Sequence, residues 1–202
     1  MRRRNNVAFV DPGRLEAARA SGRGLLTLSN HVCLFDDPWL TACLAEPHWE
    51  SLRWIGADAL NFFGSPLKGA IFNAGKCVPI VRGAGIDQPG MHFLAERLKA
   101  GEWVHMFPEG TRTRRKDGGM QSFKPGFAHL IKAAHPLVLP FHHDGMAEIL
   151  PVGARWPRRG RTVQVRFGEP LDTREGMADA EVAEIVSDMQ AIFSTLTGQA
   201  VE

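Results

Sequence analysis

Residues 25–38 read LLTLSNHVCLFDDP and combine two local patterns that recur along the chain. The apolar run at 25–28 predicts a short buried strand that ends just before His31. Pro38 is typical of the first position of a helix, and we expect that helix to run to about residue 45. A strand that passes through a tight corner into a helix is the basic unit of α/β proteins.

The same alternation of strands and helices continues on both sides of this segment. Strands are predicted at 7–10, 25–28, 52–56, 78–81, 102–107, 137–141 and 162–167, and helices at 11–20, 38–45, 89–100, 125–135 and 177–196. We expect 7–10 to be an edge strand, 162–167 an outer strand, 111–122 a mobile loop and 155–161 a hairpin-like connection. Without a repeat or an internal boundary, residues 1–202 are predicted to form a single-domain layered α/β fold with a mostly parallel central sheet flanked by helices.

The composition limits the classes of protein that need to be considered. The net charge is only +2, but 18 arginines against 6 lysines favour planar contacts with phosphate or carboxylate groups. The three cysteines show no paired spacing, so neither a disulfide framework nor a metal site is predicted. We therefore expect a reducing compartment. Since no apolar run approaches the length of a membrane span and no signal peptide follows the basic start, we expect any membrane contact to be peripheral.

His31 and Asp36 are the candidate catalytic pair. Five residues apart, they would point in different directions on one helix, so His31 must lie before the helix, at the end of the strand. Asp36 can then fold back to orient the imidazole and stabilise its protonated form, while Asp37 caps the helix. A surface histidine followed by two capping acids is the plainer alternative for this segment alone. Cys33 lacks the surroundings of an activated nucleophile, so the proton that His31 removes is expected to come from a substrate hydroxyl.

A second candidate segment, FPEGTR at 107–112, follows another predicted strand. Gly110 permits a tight turn, Thr111 offers a hydroxyl and Arg112 a guanidinium fork for phosphate. Glu109 is expected to hold a substrate hydroxyl or to position Arg112, because an ionised carboxylate only accepts hydrogen bonds.

Two further cations, Arg82 and Lys124, follow a strand and precede a helix respectively, which fits one shared phosphate site. Each of these charges taken singly is equally typical of a solvated surface. The apolar segment 60–72, with Lys68, is a candidate for insertion into a membrane interface or, alternatively, an ordinary buried helix. Adjacent His142 and His143 are poorly spaced for one metal ion, and no metal is expected.

These motifs together resemble the glycerophospholipid acyltransferase family. The resemblance rests on Asn30-His31-x4-Asp36, on VPIVRG at 78–83, on FPEGTR at 107–112 and on LVLP at 137–140, in the family's order over 25–151. Further segments look like its tafazzin-like branch: DDP at 36–38, GKCVP at 75–79, and HDGM at 143–146 followed by LP at 150–151. Cys33 stands where the wider family commonly has serine, and residues 109–112 look more like the general acyltransferases.

The resemblance implies a glycerol-3-phosphate acyltransferase-like fold and an O-acyltransferase that needs no cofactor. His31 and Asp36 would be catalytic, while Arg82, Glu109, Gly110, Thr111, Arg112 and Lys124 would bind substrate. The acceptor would be a lysophospholipid, and the donor either a phospholipid, as in transacylation, or acyl-CoA or acyl carrier protein, as in 1-acylglycerol-3-phosphate acyltransferases. The protein would lie on the cytoplasmic face of a membrane and bind no nucleic acid. A lipid-binding protein without catalysis is the alternative from another class.

Overall fold

A seven-stranded sheet organises the protein, as a computed structural model shows for residues 5–113, 119–151 and 153–197. Its strands are β1 (Asn6–Val10), β2 (Leu25–Ser29), β3 (Trp54–Asp58), β4 (Cys77–Ile80), β5 (Trp103–Met106), β6 (Leu137–Asp144) and β7 (Thr162–Phe167). Its helices are α1 (Gly13–Ala20), α2 (Ala42–Leu44), α3 (Ala59–Phe62), α4 (Pro66–Ala74), α5 (Pro89–Lys99), α6 (Gly126–Ala134), α7 (Met146–Ile149) and α8 (Asp179–Thr197).

The strand order is β1-β7-β6-β2-β5-β3-β4, and only the β6–β7 pair is antiparallel. The strands β6, β2, β5, β3 and β4 therefore all end at the same edge of the sheet. Open α/β sheets bind ligands beyond the carboxyl ends of their parallel strands. The central position of β2, between β6 and β5, places the segment that follows it in the middle of this edge.

Alternate residues of β2 face two separate cores. Leu26 and Leu28 pack with α5, α6 and α8, whereas Leu25 packs with α1, α2 and α7. Thr27 and Ser29 share the face of Leu25, because side chains alternate along a strand. Helices on both faces explain why β2 is buried along its whole length.

The predicted fold class is confirmed, and so is the edge position of β1. Strand β4, which contains Pro79, forms the opposite edge. The prediction that 162–167 is an outer strand is wrong, because β1 pairs with β7 over five residues and covers its outer edge. Of the predicted loop 111–122, residues 114–118 lie outside the described part of the chain. No helix in the described ranges combines the length and the hydrophobicity needed to cross a membrane.

Candidate active site

His31 and Asp36 meet just beyond the carboxyl end of β2. Nδ1 of His31 lies 2.9 Å from Oδ2 of Asp36, and the His31 ring stacks on Phe107, which follows β5, with 3.9 Å between centroids. A carboxylate only accepts, so Nδ1 carries the hydrogen and Nε2 has a free lone pair. The His31 side chain is 16% exposed and that of Asp36 only 1%. The pair thus presents a base at the surface, supported by a buried acid.

The Asp36 carboxylate is held by the turn that precedes it. Oδ2 also accepts hydrogen bonds from the backbone N–H groups of Val32 (2.5 Å) and Cys33 (2.8 Å), and Oδ1 accepts from Sγ of Cys33 (3.1 Å). Burial opposes ionisation, but the nearby imidazoles of His143 and His31 and the N–H donors lower the pKa of Asp36 below its usual value. Asp36 is therefore an ionised, fixed partner for His31.

Cys33 does not have the properties of a nucleophile. Burial, reinforced by the Asp36 carboxylate, raises the pKa of its thiol far above the usual value. A thiol that stays protonated and donates its hydrogen to Asp36 supports the carboxylate instead of attacking a carbonyl.

The helix after His31 begins earlier than predicted. Residues Asp36–Thr41 form a π-helical turn that continues into α2, and no side chain caps its start. Asp37, predicted as a cap, pairs instead with the buried guanidinium of Arg53, whose Nε donates to Oδ1 at 2.5 Å. The two adjacent acids thus have different partners, and Asp37 joins the start of the helix to the segment before β3.

Glu109 connects the two candidate motifs. Its carboxylate is buried, and it accepts hydrogen bonds from the backbone N–H groups of His31 (Oε1, 3.3 Å) and Gln121 (Oε2, 2.9 Å). Burial raises the pKa of Glu109, while these donors oppose the shift. The structure therefore places Glu109 beneath the site, where it fixes the backbone of His31.

The neighbours of Glu109 form a turn against the same corner. Gly110 has φ +67°, and a Cβ there would lie 3.1 Å from Cγ of Lys124, whose N–H donates to the Pro108 carbonyl. Arg112 is exposed, and the next residue, Thr113, donates its N–H to the His31 carbonyl at 2.7 Å. Thr111 lies between Gly110 and Arg112. Backbone contacts therefore join this turn to His31 and Lys124 to the start of the turn.

Arg82 lies farther away. It follows β4, three strand spacings or roughly 14 Å from β2. Its exposed side chain pairs with Asp58, at the end of β3, at 2.5 Å between Nε and Oδ2. Arg82 thus stands at the rim of the edge on which the other candidates lie.

Several supporting contacts were not predicted from the sequence. Asn30 pairs through its side chain with the backbone of His143 in both directions, at 2.9 and 3.0 Å. Arg53 and Glu109 also bond across long stretches of chain, and local sequence patterns do not indicate such partners. Among the described residues, no group of three histidine, cysteine or acidic side chains is arranged to hold a metal ion.

Comparison with known proteins identifies the family of this chain. A family model described as Acyltransferase matches residues 11–144, and the chain belongs to that family. Tafazzin from Drosophila melanogaster is 33% identical over 171 residues, which cover 83% of this chain and 45% of the fly protein. The N-acylphosphatidylethanolamine synthase of Arabidopsis thaliana is 36% identical over 169 residues, covering 78% of this chain and 59% of the plant protein.

The similarity to tafazzin confirms the branch that the motifs predicted, although the chain spans only about half the length of these curated relatives. The fold also matches the crystal structure of the 1-acyl-sn-glycerophosphate (LPA) acyltransferase PlsC from Thermotoga maritima. The TM-score is 0.68 at 20% identity, with coverage of 95% of this chain and 71% of that chain.

Proposed function

We propose that this protein is an O-acyltransferase that transfers a fatty acyl group from a phospholipid to a free hydroxyl of a lysophospholipid. The observation that supports it most is the His31–Asp36 pair, in which Nε2 is left to accept a proton beside a protonated, non-nucleophilic Cys33. A site with a base but no activated nucleophile suits direct attack by a substrate hydroxyl.

The reaction needs one proton to move twice. Nε2 of His31 takes the proton of the acceptor hydroxyl while the oxygen of that hydroxyl attacks the acyl carbonyl of the donor. The new C–O ester bond forms, the old bond between the acyl carbon and its leaving oxygen breaks, and the proton passes to that oxygen. Ionised Asp36 stabilises the imidazolium in between, and such general-base catalysis is worth about 10²–10⁴-fold.

The phosphate of the acceptor is proposed to bind at the turn 110–112 and Lys124. In the described part of the chain, the guanidinium of Arg112 has no ion-pair partner, and backbone contacts join this turn to His31 and Lys124 to Pro108. An anchored phosphate would hold the hydroxyl near Nε2 and reduce the entropy lost on reaching the transition state. Arg82, three strands away, would contact a larger head group or neighbouring lipid.

A second candidate is a 1-acylglycerol-3-phosphate acyltransferase that uses acyl-CoA or acyl carrier protein. The sequence EGTR at 109–112, which looks more like the general acyltransferases, favours it. Purified protein incubated with labelled lysophospholipid and either phospholipid alone or added acyl thioester distinguishes the two. We expect transfer with phospholipid alone; transfer only after thioester addition would replace the first proposal with the second.

Replacing Arg112 with alanine should lower kcat/KM for the acceptor by about 10–100-fold, the usual value of a hydrogen bond to a charged group. KM for the acceptor should rise and kcat should fall, because the phosphate also positions the hydroxyl. Arg112→Lys should give an intermediate loss, since it keeps the charge and loses the fork. Arg159→Ala, also at an exposed arginine, is the control, and equal kinetics for Arg112→Ala and wild type would remove Arg112 from the site.

We also propose that α3 and α4 contact the membrane. Neither helix has a buried residue, and Leu60, Leu67 and Ile71 are 87%, 73% and 61% exposed. Residues 59–86 contain three cations and no acid; Lys76 is buried and Arg82 pairs with Asp58, so the exposed Lys68 is the cation of this surface that is placed to meet anionic lipid. The segment follows β3 and thus leaves the sheet at the edge where the site lies.

The double variant Leu67→Ser/Ile71→Ser should bind phospholipid vesicles at least 10-fold more weakly, because each buried aliphatic side chain contributes about 1.5–3 kcal/mol. Co-sedimentation with vesicles containing anionic phospholipid measures this. Trp156→Ser, at a side chain 82% exposed outside this segment, is the matched control. Equal losses in both variants would rule out α4 as the contact.

The proposed location is the cytoplasmic face of the membrane, because Cys33 and Cys77 are free thiols, as expected in a reducing compartment. Protease digestion of intact cells tests this. Protection that is lost on permeabilisation of the plasma membrane is expected; cleavage in intact cells would contradict it.

A further inference from the structure

The peptide group that precedes His31 is held at both ends by buried side chains. Its N–H, that of His31, donates to Glu109. Its carbonyl, that of Asn30, accepts from Oγ of Ser29 at 3.0 Å and from Nε2 of His143 at 3.0 Å. The orientation of this peptide sets the direction in which the His31 side chain leaves the backbone.

The tautomer of His143 follows from its contacts. A carbonyl only accepts hydrogen bonds, so Nε2 of His143 carries the hydrogen. Its Nδ1 is buried without a hydrogen-bond partner, and a second hydrogen there would be an unsatisfied buried donor. Burial lowers the pKa of His143, so the ring is neutral although its Nε2 is 3.9 Å from Oδ2 of Asp36. Its polarised N–H edge still favours the ionised form of that acid.

A second buried histidine, His105 on β5, supports the Asn30 carbonyl through Ser29, from the opposite side of β2 to His143. The indole of Trp103 can only donate, so its 2.8 Å contact makes Thr27 Oγ1 an acceptor, and the Thr27 hydroxyl hydrogen can point to Nδ1 of His105 at 2.9 Å. Nε2 of His105 then carries a hydrogen and lies 3.4 Å from Oγ of Ser29, whose own hydrogen goes to the Asn30 carbonyl. Each hydrogen-bond donor from Trp103 to Ser29 therefore has an acceptor. The Asn30 carbonyl is supported by His105 on β5 and by His143 on β6, the two strands beside β2.

We propose that His143 is a positioning residue for the acyl transfer, which fixes the peptide before His31 by donating from Nε2 to the Asn30 carbonyl. It transfers no proton, and its contribution is the angle at which Nε2 of His31 meets the acceptor hydroxyl. The reciprocal bonds between the Asn30 side chain and the His143 backbone keep the donor and the carbonyl in register. This inference rests on the acyltransferase function proposed above.

Three variants at adjacent positions test it. His143→Gln, whose amide can replace the Nε2 donor, should retain kcat within about threefold, whereas His143→Leu should lose about 30-fold or more with little change in KM. His142→Leu is the matched control, because His142 is also buried but points to the other face of β6. It should keep kcat within about twofold, with circular dichroism establishing that each protein is folded.

Three outcomes would overturn the proposal: a kcat for folded His143→Leu near wild type, no rescue in folded His143→Gln, or equal losses in His142→Leu and His143→Leu. Should His143→Leu not fold, His143→Asn takes its place, because the amide nitrogen of Asn corresponds to Nδ1 and does not reach the Asn30 carbonyl; a kcat about 30-fold below that of His143→Gln supports the proposal and equal kcat values refute it.

A readout without activity separates this inference from the proposed function. Nitrogen-15 NMR of the histidine rings at pH 7 should show signals of the two His143 nitrogens, identified by their absence from His143→Gln. They should show that Nε2 carries a hydrogen and that Nδ1 does not. The opposite tautomer or a doubly protonated ring would contradict the inference. A wild-type protein inactive with every donor would instead refute the proposed function, and with it the role in acyl transfer, whereas the NMR measurement would still decide whether His143 donates from Nε2.

Discussion

Replacing His31 with alanine should reduce kcat for acyl transfer by about 10²–10⁴-fold, the contribution of a well-placed general base. The loss should appear with phospholipid and thioester donors alike, because the hydroxyl must be deprotonated in either case. Binding of the lysophospholipid should change little, since the proposed phosphate contacts lie on residues 110–112 and Lys124. Initial rates with labelled lysophospholipid, and separately a binding isotherm, measure the two effects.

The chain contains a control with the same pair of side chains. His92 and Asp87 are also five residues apart, and Nε2 of His92 lies 2.7 Å from Oδ1 of Asp87, but both side chains are exposed. His92→Ala should leave kcat within about twofold. Folded His31→Ala with full activity would support the alternative that the protein binds lipid without catalysing transfer.

This comparison shows how far the spacing of residues determines a site. A histidine and an acid five residues apart occur three times, at 31 and 36, at 87 and 92 and at 143 and 148, and the spacing alone does not distinguish them. The apolar run before His31 distinguishes it from His92, because it predicts a buried strand whose end would lie at a ligand-binding edge. The apolar run at 137–141 precedes His143 in the same way, so only the order of the motifs separates His31 from His143. The order of the motifs also predicted that residues 107–112 belong to the same site, and a hydrogen bond joins that segment to His31; its binding of phosphate remains a proposal.

What local patterns did not predict are contacts between distant segments. The pairing of Asp37 with Arg53 depends on where the chain returns before β3. The partners of Glu109 depend on the path of the loop after β5, and the position of β7 inside the sheet depends on β1. In each case a helix cap, a substrate contact or an outer strand was the simplest local interpretation, and a long-range hydrogen bond or strand pairing determined the outcome.

The adjacent acids Asp36 and Asp37 allow catalysis and stability to be separated by two variants of identical chemistry. Asp36→Asn should lower kcat by about 10³-fold or more, because a neutral amide neither holds the Nδ1–H tautomer of His31 nor stabilises its imidazolium. Asp37→Asn should leave kcat of the folded protein within about threefold. It should lower the free energy of unfolding by about 3 kcal/mol, because the Arg53 guanidinium is left buried without its countercharge.

For a domain of this size, that loss corresponds to a decrease in Tm of about 6–12 °C. Calorimetry and initial rates, taken at a temperature at which both variants are folded, measure the two effects. Equal losses of kcat in the two variants would contradict the separate roles of the acids.

The dependence of stability on pH gives an independent test of Asp36. Its pKa in the folded protein is lowered from the ordinary value of 3.8, so its ionisation stabilises the fold above that pH. As the pH falls below 3.8 and through the lowered pKa, this contribution is lost in the wild type. Asp36→Asn lacks it at every pH, so denaturant unfolding of this variant should depend less on pH below about 4. An identical acid dependence in both proteins would mean that Asp36 is not the ionised, buried partner of His31.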